Sequence, residues 1–485
     1  MTAPRRPSIV VIGAGITGLT ASRVLREALV HGGAGEVTLI EAAPQLGGKI
    51  LTERVGGFLI EGGPDSFLTL KPQAVELARE LGLGDRLVGT LDPRHVFILH
   101  RGRLHPLPEG LASLIPQRLG PFIRSRLFTP WEKARFGLDL LIPPSPNGTD
   151  EALGSFVRRR LGQAAVERLA GPLLAGIHAG DIEELSLRAT FPALAEAERR
   201  YGSLTRAVLA RRRAPARSGG RIGAEGASPG GSMFMTLRGG LRELVDRAAD
   251  LPGVAVRTQT DVRTIERRGE RYLVRVEGAE AIEADVVVVT VPANAAAVVL
   301  RDLNPPAADL AATVPHVSTA AVAFGFRRAD VRHPLAGHGY VVGSGEGMAH
   351  TAATWVSSKW PDRAPEGYVL LRCFTGRAGE QQALALDDGA LAEALLAEVT
   401  PLLGITGAPE LTRVYRWNAA MPQYTLGHLE RVAALRRALE ATPGIIVAGG
   451  GYGGVGLPDC IRQGREAAAE ALRLASPPAL EAVER

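Results

Sequence analysis

Four short runs of the chain are almost entirely apolar and do not alternate with polar residues: Ser8–Ile12, Val37–Ile40, Ala284–Val291 and Gly444–Ala448. Such runs are typical of parallel strands that are buried on both faces of a sheet. Helical patterns follow the first run, over Leu19–Val30, and the last, over Asp459–Leu474. The pattern therefore predicts an α/β fold, with one layer of sheet and helices built from both ends of the chain and a piece near its middle.

Composition narrows the class of protein. The 485 residues are 46% hydrophobic and 22% charged, which is ordinary for a globular protein of several domains. Cys373 and Cys460 lie far apart, which excludes a disulfide scaffold or a four-cysteine zinc site and favours a reducing compartment. The net charge of +5 comes without interleaved aromatic and basic residues, so no nucleic-acid partner is expected. No metal site is expected either, because no two histidines are spaced i, i+4 with an acid between them.

The first glycine-rich loop, Gly13-Ala14-Gly15-Ile16-Thr17-Gly18, joins the first predicted strand to the first predicted helix. Its glycines match the dinucleotide fingerprint, in which they permit a tight turn, close approach of backbone amides to a pyrophosphate, and packing of helix on strand. Glu41 ends the next strand, 23 residues after Gly18, where an acid can bind ribose hydroxyls. A glycine turn in an unrelated α/β fold is the alternative.

A glycine doublet, Gly47-Gly48, follows Glu41 and leads into Lys49. The doublet lets the chain pass again beside a pyrophosphate, and Lys49 offers that group a cation. This arrangement resembles flavoproteins that bind FAD and differs from nicotinamide dehydrogenases. A plain turn with a solvated lysine is the alternative.

The second glycine cluster, Gly449 through Gly456, also contains the spacing G-x-G-x-x-G. Only 29 residues follow Gly456, enough for one helix but not for a βαβ unit with its own acid. We expect instead that the closing helix points its N-terminus at the flavin ring, where its dipole stabilises negative charge on reduction. Oxygen or a quinone is then the expected electron acceptor, without a separate NAD(P)H site.

Four longer segments resemble the porphyrinogen oxidases of heme biosynthesis, within the amine oxidase and phytoene desaturase flavoproteins: Glu61–Phe67, Ala175–Asp181, Met421–Tyr424 and Gly454–Cys460. The resemblance extends over nearly the whole chain. It is greatest to the Gram-positive coproporphyrinogen III oxidases, through Ser357–Pro361, Ala364–Gly367 and Lys71. The chain departs from the animal enzymes at Asp65 and Val96, where those carry arginines, which favours coproporphyrinogen as the substrate.

The resemblance implies non-covalently bound FAD, held by residues at strand ends and glycine turns. These residues are Gly13, Ala14, Gly15, Ile16, Thr17, Gly18, Glu41, Ala42, Gly48, Lys49, Gly63, Pro64, Asp65, Ser66, Val262, Trp417, Val455, Gly456 and Leu457. Val262 and Trp417 rest on the resemblance alone, since either residue type is otherwise more often part of a core.

The implied reaction is the six-electron oxidation of coproporphyrinogen III to coproporphyrin III, by hydride transfer to flavin and reoxidation by oxygen to give hydrogen peroxide. No side-chain nucleophile is needed, because the cofactor carries the chemistry. The four propionates of the substrate call for cations or backbone donors, and the candidates are Lys71, Lys359, Arg372 and, for its backbone carbonyl towards pyrrole N–H groups, Gly176. A solvated lysine is an equal alternative for Lys71, and His178 is interpreted as a core or rim histidine.

Three alternatives stay open. The first is a protoporphyrinogen IX oxidase. The second is an amine oxidase or carotene desaturase, for which Cys460 is a candidate for covalent flavin attachment. The third is a flavin-binding protein that delivers porphyrin to a ferrochelatase, which is also a candidate partner of the enzyme.

We predict three domains. The first is a Rossmann-like FAD-binding domain of the amine-oxidase and p-hydroxybenzoate-hydroxylase type, comprising residues 1–80, 231–295 and 430–485. A mixed α+β substrate domain comprises residues 81–95, 187–230 and 296–429, and a mainly helical domain comprises residues 96–186. The segment Arg211–Ser232 is rich in Arg, Gly, Ala, Ser and Pro and is predicted to be a surface loop.

The segment Leu107–Leu141 mixes apolar residues with five basic ones: Arg118, Arg124, Arg126, Lys133 and Arg135. A basic amphipathic segment of this kind can lie on an anionic membrane, but a solvated helix face is more common and is favoured. We expect a cytoplasmic protein with at most a peripheral membrane contact.

Overall fold

The computed structural model describes residues 6–30, 35–108, 110–112, 115–116, 119–145, 149–213 and 231–475. Arg118 and most of the predicted surface loop, residues 214–230, lie outside the described residues.

The first sheet is parallel and has five strands, in the order Ala255–Arg257, Glu36–Ile40, Ser8–Ile12, Val286–Val289 and Ile445–Val447. Ile9 and Val11 face one core, which contains the first helix, Ile16–Leu25, and the closing helix, Leu457–Ala475. Val10 faces the opposite core. Ser8–Ile12 and Val286–Val289, at the centre of the sheet, are buried because helices cover one face and further helices, with the strands Val262–Arg268 and Arg271–Val276, cover the other. The edge strand Ala255–Arg257 is exposed. This arrangement confirms the predicted α/β layer and its origin in distant segments.

The first and closing helices pack closely against each other, and Gly464 allows this approach. A Cβ atom at Gly464 would lie 2.4 Å from the backbone oxygen of Thr17, so a larger residue has no room there. The closing helix is therefore held against the helix that begins at the first glycine loop.

The second sheet is mixed and has seven strands, in the order Leu411–Pro422, His316–Arg327, Tyr368–Thr375, His350–Trp355, Gly339–Val342, Val96–His100 and Arg103–Pro106. The helix Asp388–Leu403 covers one face of this sheet. The strands over residues 96–106 pair at its edge, although the predicted helical domain starts at residue 96. The strand Tyr368–Thr375 is almost wholly buried, because both of its faces are covered.

Smaller sheets connect these layers. Their strands are Phe67–Leu68, Phe234–Leu237 and Leu87–Gly89; Val262–Arg268, Arg271–Val276 and Ile282–Ala284; Thr52–Val55 and Phe58–Glu61; and Leu111–Ala112 with Ile115–Pro116. The other α-helices of the two sheet regions are Gln73–Glu80, Arg242–Ala248, Ala293–Val299, Pro305–Ala312, Val356–Lys359 and His428–Leu439.

Residues 119–213 are largely helical. Their α-helices are Leu119–Arg124, Pro130–Gly137, Leu153–Leu161, Gln163–Ala165, Gly171–His178, Leu187–Thr190, Pro192–Tyr201 and Leu204–Arg213. Short π-helices lie at Arg26–Val30 and Val166–Ala170. Short 3-10 helices lie at Gly84–Arg86, Leu138–Leu140, Arg328–Asp330 and Gln382–Ala385. Among the described residues, no helix is both long enough and apolar enough to cross a bilayer.

Candidate flavin and substrate site

The first glycine loop has the backbone that its sequence predicts. Gly13 has a φ of +97°, and its amide donates to the carbonyl of Ile40 at 2.8 Å. A Cβ at Gly18 would lie 1.9 Å from the oxygen of Gly13, so helix and strand approach too closely for any other residue. A Cβ at Gly15 would meet no described atom within 4 Å. The turn thus has an open side at Gly15, which fits a bound dinucleotide.

Glu41 lies beside this loop at the end of its strand. Its carboxylate accepts from the amides of Ala14 at 2.7 Å and Ala43 at 2.9 Å. The amide of Thr260 donates to the Glu41 carbonyl at 3.0 Å, and buried Val262 begins the next strand two residues further on. Val262 therefore lies in the same part of the molecule as Glu41, a proximity that only the fold produces.

The glycine doublet makes a second pass along the loop. The Gly47 amide donates to the carbonyl of Ala14 at 2.8 Å, and a Cβ at Gly48 would lie 3.2 Å from the Cα of Gly15. The ammonium of Lys49 donates to the carbonyl of Ala420 in the mixed sheet, and burial lowers its pKa. The doublet is placed as a dinucleotide site requires, while the contact of Lys49 with a pyrophosphate stays a prediction.

The turn at Gly62-Gly63 is held from the mixed sheet. The indole N–H of Trp417 donates to the Gly62 carbonyl at 2.8 Å, and Arg372 Nη2 donates to the Gly63 carbonyl at 2.6 Å. A Cβ at Gly63 would lie 1.8 Å from the oxygen of Lys49, so glycine is required. Burial lowers the pKa of Arg372, and its Nε has no partner among the described residues.

Asp65 and Lys359, here called the buried pair, fix the loop that follows. Lys359 Nζ lies 2.8 Å from Asp65 Oδ2, and only 15% and 18% of the two side chains are exposed. The indole N–H of Trp360 donates to the same oxygen at 3.2 Å, and Ser66 donates to Oδ1 at 2.7 Å. Burial alone would raise the pKa of Asp65, but the charges of Lys359 and Arg372 outweigh it and hold that pKa well below its ordinary value. Lys359 and Arg372, both predicted to bind propionates, thus contact the segment Gly63–Ser66, which is itself predicted to bind the flavin. Their substrate role stays a prediction.

The second glycine cluster is positioned by a tyrosine that the sequence did not single out as a site residue. The Tyr424 hydroxyl donates to the Gly450 carbonyl at 2.7 Å and accepts from the Gly454 amide at 2.8 Å. Gly454 has a φ of +114°, which favours glycine. Val455 and Gly456 then lead into the closing helix, which begins at Leu457, two residues before its predicted start at Asp459. Tyr424 belongs to Met421–Tyr424, one of the segments that carry the family resemblance, but only the tertiary structure brings it to this cluster.

Cys460 lies in the first turn of the closing helix and is buried. Burial raises the pKa of its thiol to about 11, which disfavours the reactive thiolate. Its sulfur lies 3.9 Å from the carbonyl oxygen of Gly454, beneath the glycine cluster.

Lys71 and Asp459, here called the exposed pair, connect the segment before the helix Gln73–Glu80 to the start of the closing helix. Lys71 Nζ lies 2.7 and 2.6 Å from the two carboxylate oxygens of Asp459. Half of the lysine side chain is exposed, against 13% of the aspartate. Asp459 belongs to Gly454–Cys460, one of the segments that carry the family resemblance, but it was not predicted as a site residue.

The end of the helix Gly171–His178 lies within electrostatic range of Lys71. Burial, assisted by the charge of Lys71, lowers the pKa of His178 to about 4. The His178 carbonyl accepts from the side-chain amide of Gln423 at 2.9 Å, and the residue is half-buried, which fits its interpretation as a rim histidine. Gly176, in the last turn of this helix, is exposed. Its predicted contact with pyrrole N–H groups stays a prediction.

Exposed apolar side chains accompany Lys71. Phe234 is paired across two strands with Leu68, and the amide of Thr69 donates to the carbonyl of Met233 at 3.0 Å. The exposed members of this group are Leu68, Leu70, Met233, Phe234 and, at the end of the neighbouring helix, Ile177. An amphipathic ligand with a carboxylate suits a surface of this composition.

Comparisons with known proteins identify the family to which the chain belongs. The family described as flavin containing amine oxidoreductase matches residues 16–472. The coproporphyrinogen III oxidase of Bacillus subtilis is 39% identical over 467 residues, covering 96% of this chain and 97% of the relative. That of Propionibacterium freudenreichii is 36% identical over 490 residues, covering 96% and 90%. A crystal structure from Exiguobacterium sp. 255-15, named for protoporphyrinogen oxidase, has a TM-score of 0.84 at 33% identity and covers 97% of this chain and 100% of that one.

Proposed function

We propose, for a chain that belongs to the flavin containing amine oxidoreductase family, the FAD-dependent oxidation of coproporphyrinogen III to coproporphyrin III in heme biosynthesis. The observation that carries this substrate is the half-exposed Lys71, whose ammonium contacts Asp459 at the start of the closing helix, beside exposed apolar side chains. The comparisons support it through relatives named for this activity that match almost the entire chain. A cation next to an apolar surface suits a flat macrocycle that carries carboxylates.

The chain's own residues orient the substrate. Lys71 binds a propionate, and apolar side chains such as Leu68 and Phe234 pack against the macrocycle and exclude water. His178 stays uncharged at neutral pH, so it adds no second cation there. When bound, FAD supplies the acceptor for each two-electron step, and oxygen is the proposed final oxidant, with hydrogen peroxide as its product.

The identity and attachment of the flavin have a direct test. Open space at Gly15, the position of Glu41 and the close approach at Gly63 support a dinucleotide. The buried Cys460 thiol, with its raised pKa, supports non-covalent binding. Acid precipitation of the yellow protein should release all of the flavin into the supernatant, where chromatography should identify FAD. Flavin that stays with the precipitated protein would contradict non-covalent binding, and FMN in the supernatant would contradict the dinucleotide.

The substrate has its own test, an aerobic assay of porphyrin fluorescence. Coproporphyrinogen III and protoporphyrinogen IX are supplied separately to the holoenzyme, with an enzyme-free control because porphyrinogens oxidise spontaneously. We expect a large preference in kcat/KM for coproporphyrinogen III, accompanied by hydrogen peroxide.

Other outcomes of that assay select the alternatives. A preference for protoporphyrinogen IX would retain the fold and cofactor and replace the substrate. A protein that binds coproporphyrin but turns over neither porphyrinogen would instead support delivery of porphyrin to a ferrochelatase. Copurification with a ferrochelatase tests that partner for the active enzyme as well.

We also propose that the enzyme is cytoplasmic, that it has the three domains predicted from the sequence, and that it makes at most a peripheral contact with a membrane. The observation that bears on the membrane is a group of exposed apolar side chains around Trp131, whose side chain is 86% exposed: Ile123, Trp131, Leu138 and Leu141. Lys133 and Arg135, two of the basic residues of this segment, donate to backbone carbonyls of neighbouring segments. Flotation with anionic vesicles tests this contact, and protein left entirely in the soluble fraction would remove it.

A further inference from the structure

The two members of the exposed pair are held to different degrees. A Cβ at Gly454 would lie 2.5 Å from the Asp459 carboxyl carbon, and one at Gly456 would lie 3.2 Å from Oδ2, so the carboxylate is packed against two glycines. Asp459 is also in the first turn of a 19-residue helix, where the dipole stabilises a negative charge. Lys71 has a long side chain that is half exposed. Asp459 is therefore the fixed partner, and Lys71 is the one that can change position.

A carboxylate ligand can replace Asp459 as the partner of Lys71. Separating the pair releases Lys71, which is already half exposed, and leaves Asp459 at the helix N-terminus that stabilises its charge, so the cost is small. After the exchange Lys71 is again paired, and Asp459 keeps the stabilisation of the helix N-terminus. No comparable exchange is open to the buried pair, because Asp65 is also held by Trp360 and Ser66.

We propose that Asp459 is a specificity-determining positioning residue that competes with substrate carboxylates for Lys71. This inference rests on the proposed function, because it takes a propionate as the group that displaces Asp459. Without a ligand carboxylate, Asp459 keeps Lys71 paired. A carboxylate ligand binds only with the free energy that remains after displacing Asp459, while a neutral macrocycle gains nothing from Lys71.

The test is binding of coproporphyrin III to the FAD-loaded holoenzyme, followed by porphyrin fluorescence. Asp459→Asn removes the competitor and should tighten binding by about fivefold. Lys71→Met should weaken binding, both by removing the cation and by leaving the Asp459 charge unpaired near the ligand. The double variant should recover part of that loss. Asp459→Glu restores a carboxylate and should return the affinity towards that of the wild type.

Steady-state kinetics separates this role from a structural one. Asp459→Asn should lower KM for coproporphyrinogen III while kcat changes little, and added salt should reduce the difference because it screens the competing charge. Asp309→Asn is the matched control, because it removes a carboxylate from a surface ion pair with Arg301 that lies outside this site. It should leave both constants unchanged.

Affinity that is unchanged or weaker in Asp459→Asn, with Lys71→Met still impaired, would overturn the inference. A double variant no better than Lys71→Met would do the same. Failure of the proposed function is distinguishable: wild-type holoenzyme that binds coproporphyrin without oxidising its porphyrinogen overturns the activity, and the binding comparison still decides the role of Asp459. Wild-type holoenzyme that binds no coproporphyrin overturns both.

Discussion

Two lysine–aspartate pairs flank the predicted flavin site, and they differ in the exposure of the lysine and in the number of side chains that hold the carboxylate. In the buried pair, Lys359 and Asp65 are each less than one-fifth exposed, and two further donors hold the carboxylate. In the exposed pair, Lys71 is half exposed and is the only described side chain that donates to the Asp459 carboxylate. The same two residue types thus form a fixed brace in one place and an exchangeable contact in the other.

The difference teaches that burial, more than residue type, decides what an ion pair does. Removing one member of a buried pair leaves a charge without its partner in a poorly solvated place, which is costly. An exposed charge is solvated by water when its partner leaves. Lys71, Lys359 and Arg372 were all predicted as propionate ligands, yet Lys359 and Arg372 contact the loop predicted to bind the flavin, whereas Lys71 is half exposed to solvent.

The largest expected effect is from breaking the buried pair. Lys359→Met should lower the free energy of unfolding by about 3–5 kcal/mol, because Asp65 is left charged and buried. It should also weaken FAD binding, since Asp65 belongs to the loop predicted to contact the cofactor. Urea unfolding and FAD titration measure the two effects.

The double variant Lys359→Met with Asp65→Asn is the control for that prediction. Replacing both members removes the unpaired charge, so most of the lost stability should return. A double variant as unstable as Lys359→Met alone would show that packing of the lysine stem, and not its charge, is what stabilises the loop.

Glu61, a buried carboxylate near the buried pair, should give the next largest effect on stability. Burial raises the pKa of Glu61 from 4.5 to about 7, although hydrogen bonds from Thr52 and Leu241 and the charges of Arg363 and Arg372 lower it. The folded state then binds this proton more tightly than the unfolded state. The resulting stability is complete below the unfolded pKa and is lost as pH rises through about 7.

Glu61→Gln tests that dependence. Relative to the variant, the wild type should lose about 2–3 kcal/mol of unfolding free energy between pH 5 and pH 8. Unfolding curves at the two pH values measure it, with Asp309→Asn as an exposed carboxylate control that should show no such change. Parallel pH dependence in the wild type and Glu61→Gln would mean that Glu61 titrates normally.

The smallest effect on stability should come from the exposed pair. Lys71→Met should change the free energy of unfolding by less than about 1 kcal/mol, because Lys71 is half exposed and the helix N-terminus still stabilises the charge of Asp459. Its effect should appear instead as a higher KM for coproporphyrinogen III. A loss of stability comparable to that of Lys359→Met would abolish the distinction between the two pairs.

Much of the fold followed from local pattern. The buried strands, the glycine loop with Glu41, and the closing helix were predicted from apolar runs and spacing, and the α/β class and the family resemblance are confirmed. The strands at 96–106 were assigned to the helical domain because nothing local in the sequence shows which sheet a hairpin joins. Tyr424 and Asp459 were visible only as members of motifs, since their partners lie in other segments.

The sequence by itself determined where the chain turns, which strands are buried and which cofactor class suits the loops, because these depend on residues close together along the chain. Tertiary structure alone decided which charges pair. Asp65 and Lys359 are 294 residues apart, and Lys71 and Asp459 are 388 apart. Whether such a pair is a brace or a contact that a substrate can displace depends on its solvation, and solvation is a property of the assembled fold.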